Sequence, residues 1–271
     1  MATTYRKSPY READEFNERY MQPIMDQIYG LLGFGVERVE DKERQIRGAD
    51  VILTGRNGEM IVDEKCDNTR QLYVYDTDKI PYGGKFDTAC TFAMELSRRY
   101  RDGRVANGWF HPSEREKALN QYFSFIWTNH VKDKMNAKGE YTRDGKLTQI
   151  SQVEVCIIHY DDIKKIVESH SENFSYDEEI KRVYDATVGN EDGLVRLDSH
   201  GNTRMVYSGF LVEKPVNCVV SKKALRENAT MSFAFNFEGD HGNEKVVSVR
   251  RLHFDDKHPK SEFDCGFVSL T

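Results

Sequence analysis

The chain reads Gly48-Ala-Asp-Val-Ile-Leu-Thr-Gly-Arg-Asn-Gly-Glu-Met-Ile-Val-Asp-Glu-Lys65 in its N-terminal quarter. Two apolar segments, residues 49–54 and 60–65, flank a Gly-Arg-Asn-Gly connection. Glycine and asparagine tolerate positive φ angles, so this connection between two apolar segments predicts a β-hairpin. A hairpin brings the start of its first strand beside the end of its second. We therefore expect Asp50 to lie next to Asp63 and Lys65.

The charged residues at this end of the hairpin suit a metal-dependent phosphodiesterase. Side chains alternate across a strand, so Asp63 and Lys65 share one face while Glu64 points to the other. Asp50 and Asp63 are candidate catalytic residues and candidate ligands of Mg²⁺ or Mn²⁺, hard cations that bind oxygen. The backbone carbonyl of Glu64 is a further candidate ligand. Lys65 would orient the attacking water and neutralise charge that develops on the phosphate.

The acid-x-Lys triplet is not specific by itself, because the same spacing occurs five more times in polar segments. These copies are Glu40–Lys42, Asp144–Lys146, Asp162–Lys164, Glu179–Lys181 and Asp255–Lys257. The triplet Asp63–Lys65 differs from them because it ends an apolar strand directly after a hairpin that another acid leads. The alternative interpretation is a solvent-exposed strand end that carries a structural Asp–Lys pair.

The segment Ala49-Asp50…Asp63-Glu64-Lys65 resembles the PD-(D/E)xK nuclease superfamily, which has the restriction-endonuclease-like fold. The resemblance assigns the family's first acid to Asp50, its second acid to Asp63 and its lysine to Lys65, and Ala49 replaces the family's usual proline. A helix precedes these strands in the family, and residues 12–32 form an amphipathic pattern here. The motif covers about 20 residues, and the topological match extends loosely over residues 12–128.

The resemblance implies a deoxyribonuclease that uses Mg²⁺ or Mn²⁺, with DNA as its partner. An enzyme that cuts both strands would usually need two sites, which makes a homodimer a candidate assembly. In some family members the first helix donates an extra acid, and Glu18 occupies that helix here. Glu95 is a second additional candidate, since an acid within an apolar run normally needs a partner. The Gln-x-x-x-Tyr spacing of residues 71–75 is similar to that of RecB-like relatives.

The order of patterns predicts an α/β fold with a restriction-endonuclease-like mixed sheet flanked by helices. We expect a nuclease-like core in residues 1–130, a polar linker or loop in residues 131–148, and a mixed α+β extension in residues 149–271. The extension would either complete the same sheet or form a recognition or oligomerisation module. Strands are predicted at residues 36–47 (irregular or edge), 88–96, 122–128, 153–159, 210–212, 216–220, 231–237 and 246–252; helices are predicted at 113–119 and 161–170.

Three cations before the hairpin, Lys42, Arg44 and Arg47, are candidate contacts to a nucleic-acid backbone. They alternate with acids, so a solvated face of mixed charge explains them equally well. Trp109 and Phe110 could stack on a base, although packing between elements is the favoured interpretation.

Net charge, cysteine spacing and the absence of several sequence motifs argue against other classes of protein. The net charge of −6 argues against a general nucleic-acid coating protein but is compatible with a nuclease. The five cysteines lack CxxC spacing and indicate reduced thiols in a cytoplasmic protein. No secretory signal or bilayer-spanning segment is expected. The sequence has no zinc motif, GxSxG elbow or GxxxxGK[ST] loop.

Two other functions remain open at the level of sequence. The first is a catalytically inactive nuclease fold that binds nucleic acid or a protein partner. The second is an interaction or structural protein of a phage or mobile element, in which the hairpin has no catalytic role. A nuclease needs a divalent-metal site and a basic groove leading to Asp63, and these two features separate the three interpretations.

Overall fold

The computed structural model describes residues 9–56, 58–67, 91–100, 102–137, 141–142, 144–211 and 213–254. The helices are α1 (Pro9–Leu31), α2 (Lys42–Ile46), α3 (Pro112–Arg115), α4 (Tyr160–Glu168), α5 (Tyr176–Asp185) and α6 (Lys222–Glu227). The strands are β1 (Gly35–Arg38), β2 (Val51–Gly55), β3 (Gly58–Asp67), β4 (Thr91–Arg99), β5 (Val105–Asn107), β6 (Tyr122–Lys132), β7 (Leu147–His159), β8 (Leu194–His200), β9 (Thr203–Ser208), β10 (Pro215–Ser221), β11 (Met231–Glu238) and β12 (Lys245–Phe254).

The fold is mixed α/β and contains two sheets. The larger sheet has seven strands in the order β1-β2-β3-β6-β7-β11-β12, and the smaller has five in the order β5-β4-β10-β9-β8. Strand β3 pairs with β6 in parallel, whereas the other described pairs are antiparallel. The predicted hairpin is confirmed, because β2 and β3 pair from Val51 opposite Val62 to Gly55 opposite Gly58.

Both faces of the larger sheet are covered. Helix α1 buries Met21, Met25 and Ile28 against one face, together with apolar residues of β2, β7 and β11. The helix ends at Leu31, and the chain turns away at Gly33, whose φ of 85° belongs to the left-handed region that glycine adopts readily. The opposite face packs against the smaller sheet and helices α4 to α6. The larger sheet therefore lies between α1 on one face and the apolar layer of the smaller sheet and helices α4 to α6 on the other.

Residues 133–146 connect two neighbouring strands of one sheet. Strands β6 and β7 are antiparallel, and Lys132 lies opposite Leu147 where they meet this connection. Strands β7, β11 and β12 continue the sheet that β1, β2 and β3 begin. The described part of residues 149–271 thus adds three strands to the larger sheet and also supplies three strands of the smaller one.

Two local predictions are wrong. Residues 36–47 were expected to be an edge strand, but only Gly35–Arg38 pairs at the sheet edge. The chain then enters α2, because the side chain of Asp41 accepts a hydrogen bond from the Arg44 amide and caps that helix. The predicted strand at 210–212 is a turn at Phe210 and Leu211, and Phe210 is 64% exposed.

Among the described residues, no helix is long and apolar enough to cross a membrane.

Candidate active site

Asp50 and Asp63 lie at the open end of the β2–β3 hairpin. The Asp50 amide donates to the Val62 carbonyl at 3.0 Å, which continues the strand pairing one residue beyond Val51. The Asp50 side chain turns back to β3, where its Oδ2 accepts the Glu64 amide at 2.9 Å. Backbone pairing therefore fixes the position of both acids, as the turn chemistry of the hairpin predicted.

Asp63 is a buried acid with one cation and one anion beside it. It is 6% exposed, and the Lys65 Nζ lies 2.6 Å from its Oδ1. Burial raises the pKa of Asp63 to about 7, the charge of Lys65 opposes this rise, and the charge and hydrogen bond of Asp50 add to it. A cation bound beside Asp63 would favour its charged form, as Lys65 already does.

Glu64 points to the α1 side of the sheet, as strand alternation predicted. Its carboxylate accepts a hydrogen bond from the Tyr29 hydroxyl, with an oxygen–oxygen distance of 2.9 Å, and forms an ion pair with Arg38. Burial raises the pKa of Glu64, and Arg38 and Tyr29 oppose that rise. The amide and carbonyl of one strand residue point to the same edge. The Glu64 carbonyl therefore leaves β3 on the side of Asp50.

Lys65 lies on the opposite face, over the ring of Trp109 with its Nζ 5.0 Å from the ring centroid. Trp109 itself packs against Phe110 and Phe123 at centroid distances of 5.7 and 5.4 Å. Trp109 is partly exposed and Phe110 is fully buried, in keeping with packing between elements. Burial raises the pKa of Glu95, while the charges of Arg98 and Lys65 lower it. Glu95 thus lies within electrostatic range of Lys65.

Three residues that the sequence patterns did not single out lie around Asp63. Gly48 has a φ of 79°, and a Cβ there would lie 2.3 Å from Asn120 Oδ1 and 3.4 Å from Asp63 Oδ2. Asn120 is 3% exposed, and its Oδ1 accepts a hydrogen bond of 2.8 Å from Arg115 Nη1. The charge of Asp63 raises the pKa of Arg115, although burial has the larger effect and lowers it. Arg115 therefore adds positive charge near the acid pair.

A cavity of about 290 Å³ adjoins Asp50 on the α1 side of the sheet. Glu18 and Glu64 also line it. Burial and then the negative charge of Asp50 raise the pKa of Glu18. The two additional candidates consequently lie on opposite sides of β3, with Glu18 near Asp50 and Glu95 near Lys65.

The three candidate nucleic-acid contacts lie on and beside α2. Lys42 and Arg47 are exposed, and Arg44 is partly exposed. The Nε of Arg47 donates to the Lys117 carbonyl at 2.9 Å, which ties the end of α2 to the segment before β6. The residues with RecB-like spacing, 71–75, lie outside the described residues.

The donor set at the hairpin suits a hard cation only if the backbone contributes. Within the described ranges, no group of three or more His, Cys, Asp or Glu side chains could hold a metal. The Asp50 carboxylate and the Glu64 carbonyl are nevertheless oxygen donors on one edge of β3, and the carboxylate of Asp63, the residue before Glu64, adds a third oxygen donor at this end of the hairpin. Mg²⁺ is commonly held by one or two carboxylates and completes its shell with water, so these residues fit it.

Comparison with known proteins gives no relative: no family model, no curated protein and no solved structure matches this chain.

Proposed function

We propose that this protein is a Mg²⁺- or Mn²⁺-dependent deoxyribonuclease whose active site is the open end of the β2–β3 hairpin. The observation that carries the proposal is the position of Asp50 beside Asp63 at the open end of the hairpin, where the Asp50 amide pairs with the Val62 carbonyl and Lys65 Nζ lies 2.6 Å from the Asp63 carboxylate. Two neighbouring acids, of which Asp63 is buried and Asp50 partly exposed, with an adjacent ammonium group suit metal-dependent phosphodiester hydrolysis.

The proposed family is the PD-(D/E)xK superfamily, with a restriction-endonuclease-like core. Three features of the fold support it. Helix α1 precedes the strands, the first acid lies immediately before β2, and the acid-x-Lys triplet lies on the adjacent β3. The isolated copies of the triplet lack this setting, as the one at Asp162–Lys164 lies on helix α4.

The carboxylates of Asp50 and Asp63 and the carbonyl of Glu64 would hold the metal ion. When bound, the ion lowers the pKa of a water molecule and polarises the phosphate. Asp50 is oriented by the Glu64 amide, and Asp63 by Lys65. Lys65 donates a proton of its ammonium group in a hydrogen bond to the attacking water or to a phosphate oxygen. It thereby offsets negative charge in the transition state.

The surroundings of Lys65 limit where its ammonium group can act. The Trp109 ring lies beneath it and the Asp63 carboxylate beside it. A cation over an aromatic face is stabilised without losing its charge. Lys65 is therefore placed to act as a fixed positive charge that faces the substrate from the same side as Asp63.

DNA is the proposed partner, with Lys42 and Arg47 as exposed contacts to its backbone, and a homodimer is the proposed assembly for double-strand cleavage. The alternative is a nuclease fold that only binds nucleic acid or protein. The observation that favours this alternative is that, within the described residues, no group of three or more His, Cys, Asp or Glu side chains is placed to hold a metal.

The test is cleavage of supercoiled plasmid and single-stranded DNA in Mg²⁺ or Mn²⁺ by the wild-type protein and by Lys65→Ala. We expect metal-dependent cleavage by the wild type and a loss of about 100-fold or more in Lys65→Ala, since a charge aimed at the transition state is removed. Lys117→Ala is the control, because its ammonium group pairs with Glu114 at 3.0 Å on an exposed surface. Cleavage that persists in Lys65→Ala would exclude this site.

A further inference from the structure

The cavity beside Asp50 has a lining that the proposed hydrolysis does not explain. It measures about 290 Å³ and lies between α1 and the strands β3 and β6. Small-molecule sites usually measure about 300–1,000 Å³. The cavity lies at the lower limit of this range, which matches one small ring system rather than a whole dinucleotide.

The cavity has an apolar floor. Met21 and Met25 of α1 and Ile126 of β6 line it, and each of them is at most 4% exposed. Methionine side chains adapt to flat rings and make favourable sulfur–aromatic contacts. This floor suits the face of an aromatic ring.

The rim of the cavity is rich in hydrogen-bond acceptors. Asp14 and Glu18 lie one turn apart on α1, and Asp50 faces them. Carboxylates accept hydrogen bonds, so they favour ligand groups that donate, such as an amino group. The side-chain amide of Gln22 adds a donor and an acceptor, whereas the Gln45 Nε2 already donates to the Val39 carbonyl at 2.6 Å.

The charge of the lining excludes an anion. Among the described lining residues Arg38 is the single cation. It is already paired with Asp26 at 2.7 Å and with Glu64. A phosphate group would therefore meet carboxylates without an available positive charge, so the cavity does not hold the backbone of a nucleic acid.

We propose that this cavity binds one unpaired nucleobase with an exocyclic amino group, and discriminates against thymine. Its ring would lie against Met21 and Met25, and its amino group would donate to Glu18 or Asp14. Acidic side chains accept from the cytosine amino group in nucleic-acid recognition, and glutamine recognises adenine. The inference rests on the proposed nuclease function, because Asp50 belongs both to the cavity and to the proposed catalytic centre.

The thiol of Cys66 provides a direct probe, since it lines the cavity and is partly exposed. In a Cys90→Ser, Cys265→Ser background, the remaining thiols Cys156 and Cys218 are buried and react only on unfolding. We would measure the rate of Cys66 alkylation without divalent metal, with added deoxycytidine, deoxyadenosine or thymidine. We expect the two amino-bearing nucleosides to protect Cys66 at about tenfold lower concentration than thymidine.

Two variants test the assigned contact. Glu18→Ala should weaken protection by deoxycytidine severalfold, whereas Glu12→Ala, another exposed acid of α1 that does not line the cavity, should leave it unchanged. An alkylation rate unaffected by all three nucleosides, or equal protection by thymidine, would overturn the inference. Metal-dependent cleavage of DNA by a protein whose Cys66 no nucleoside protects from alkylation would overturn the base-binding inference and leave the nuclease proposal in place. Protection without metal-dependent cleavage would overturn the nuclease proposal and leave the base site in place.

Discussion

Single residues around Asp63 decide what the open end of the hairpin can do. Lys65 supplies the opposite charge, and Gly48 leaves room for the Asn120 side chain, which a Cβ at this position would overlap. The acids and the lysine were predictable, because their spacing along two short strands is fixed by the hairpin. Asn120 and Arg115 were not, since their closeness to Asp63 arises from a connection more than 50 residues away in the chain.

Gly48→Ala is expected to disturb this arrangement. A Cβ at Gly48 would collide with Asn120 Oδ1 at 2.3 Å and would also require a φ of 79°. We expect a loss of roughly 2–4 kcal/mol in the free energy of unfolding, from backbone strain and steric overlap together. Denaturant titration measures it. Gly103→Ala is the control, because Gly103 has a φ of 84° and nothing within 4 Å. Equal losses in both variants would show that the contact with Asn120 has no energetic weight.

His130 predicts a pH dependence of stability. Burial, assisted by the charge of Lys132, lowers its pKa to about 4. Between about pH 6.5 and pH 4, His130 therefore binds a proton in the unfolded state but stays neutral in the folded state. Stability is complete above that pH and falls as the pH drops towards 4, by up to roughly 3 kcal/mol. Urea titrations between pH 4 and 7 should show a shallower slope for His130→Phe. An unchanged slope would assign the acid sensitivity to other groups.

At the scale of elements, helices and strands could be predicted where a turn motif or regular apolar spacing marks them in the sequence. Strands β2 and β3 follow from their glycine-rich turn, and α4 follows from the inward spacing of Ile163, Ile166 and Val167, all buried. Helices α5 and α6 and strands β8 and β9 were not predicted. Strand β8 begins with two adjacent apolar residues and ends with three polar ones, so its sequence lacks the apolar–polar alternation that marks a strand, and hydrogen bonding to β9 defines it instead.

Helix α6 is fastened to β7 by a buried ion cluster, which gives an element-scale prediction. Glu154 pairs with Lys222 and also with Arg226 at 3.4 Å, and Glu154 and Lys222 are at most 8% exposed. Glu154→Ala would remove the anion that pairs with the buried Lys222 ammonium group, and we expect a loss of about 3–5 kcal/mol in the free energy of unfolding, measured by thermal or chemical denaturation.

The matched controls for this cluster separate a buried pair from a surface pair. Glu114→Ala, which breaks the exposed Glu114–Lys117 pair, should change stability by about 1 kcal/mol or less. A double variant, Glu154→Leu with Lys222→Met, should recover much of the loss because it removes one buried cation together with the anion. A double variant less stable than Glu154→Ala would contradict this explanation.

At the scale of the whole molecule, the larger sheet joins distant parts of the chain. Strand β3 pairs in parallel with β6, and β7 pairs with β11, which begins more than 70 residues after β7 ends. The α/β class could be predicted from the order of patterns. The second sheet could not, because long-range pairing of β4 with β10 leaves no signal in either strand alone. The cavity beside Asp50 likewise exists only once α1 packs on the sheet.

The central claim is that Asp50 and Asp63 are brought together to hold one divalent cation. The most direct test is the melting temperature with and without Mn²⁺ at pH 8, for wild type, Asp50→Asn and Asp63→Asn. Glu59→Gln, an exposed acid at the other end of β3, is the control. At a concentration 100 times the dissociation constant, binding adds about 2.7 kcal/mol, which corresponds to a rise of roughly 5–10 °C. We predict this rise in wild type and Glu59→Gln and its loss in both aspartate variants. An equal rise in all four proteins would contradict the claim.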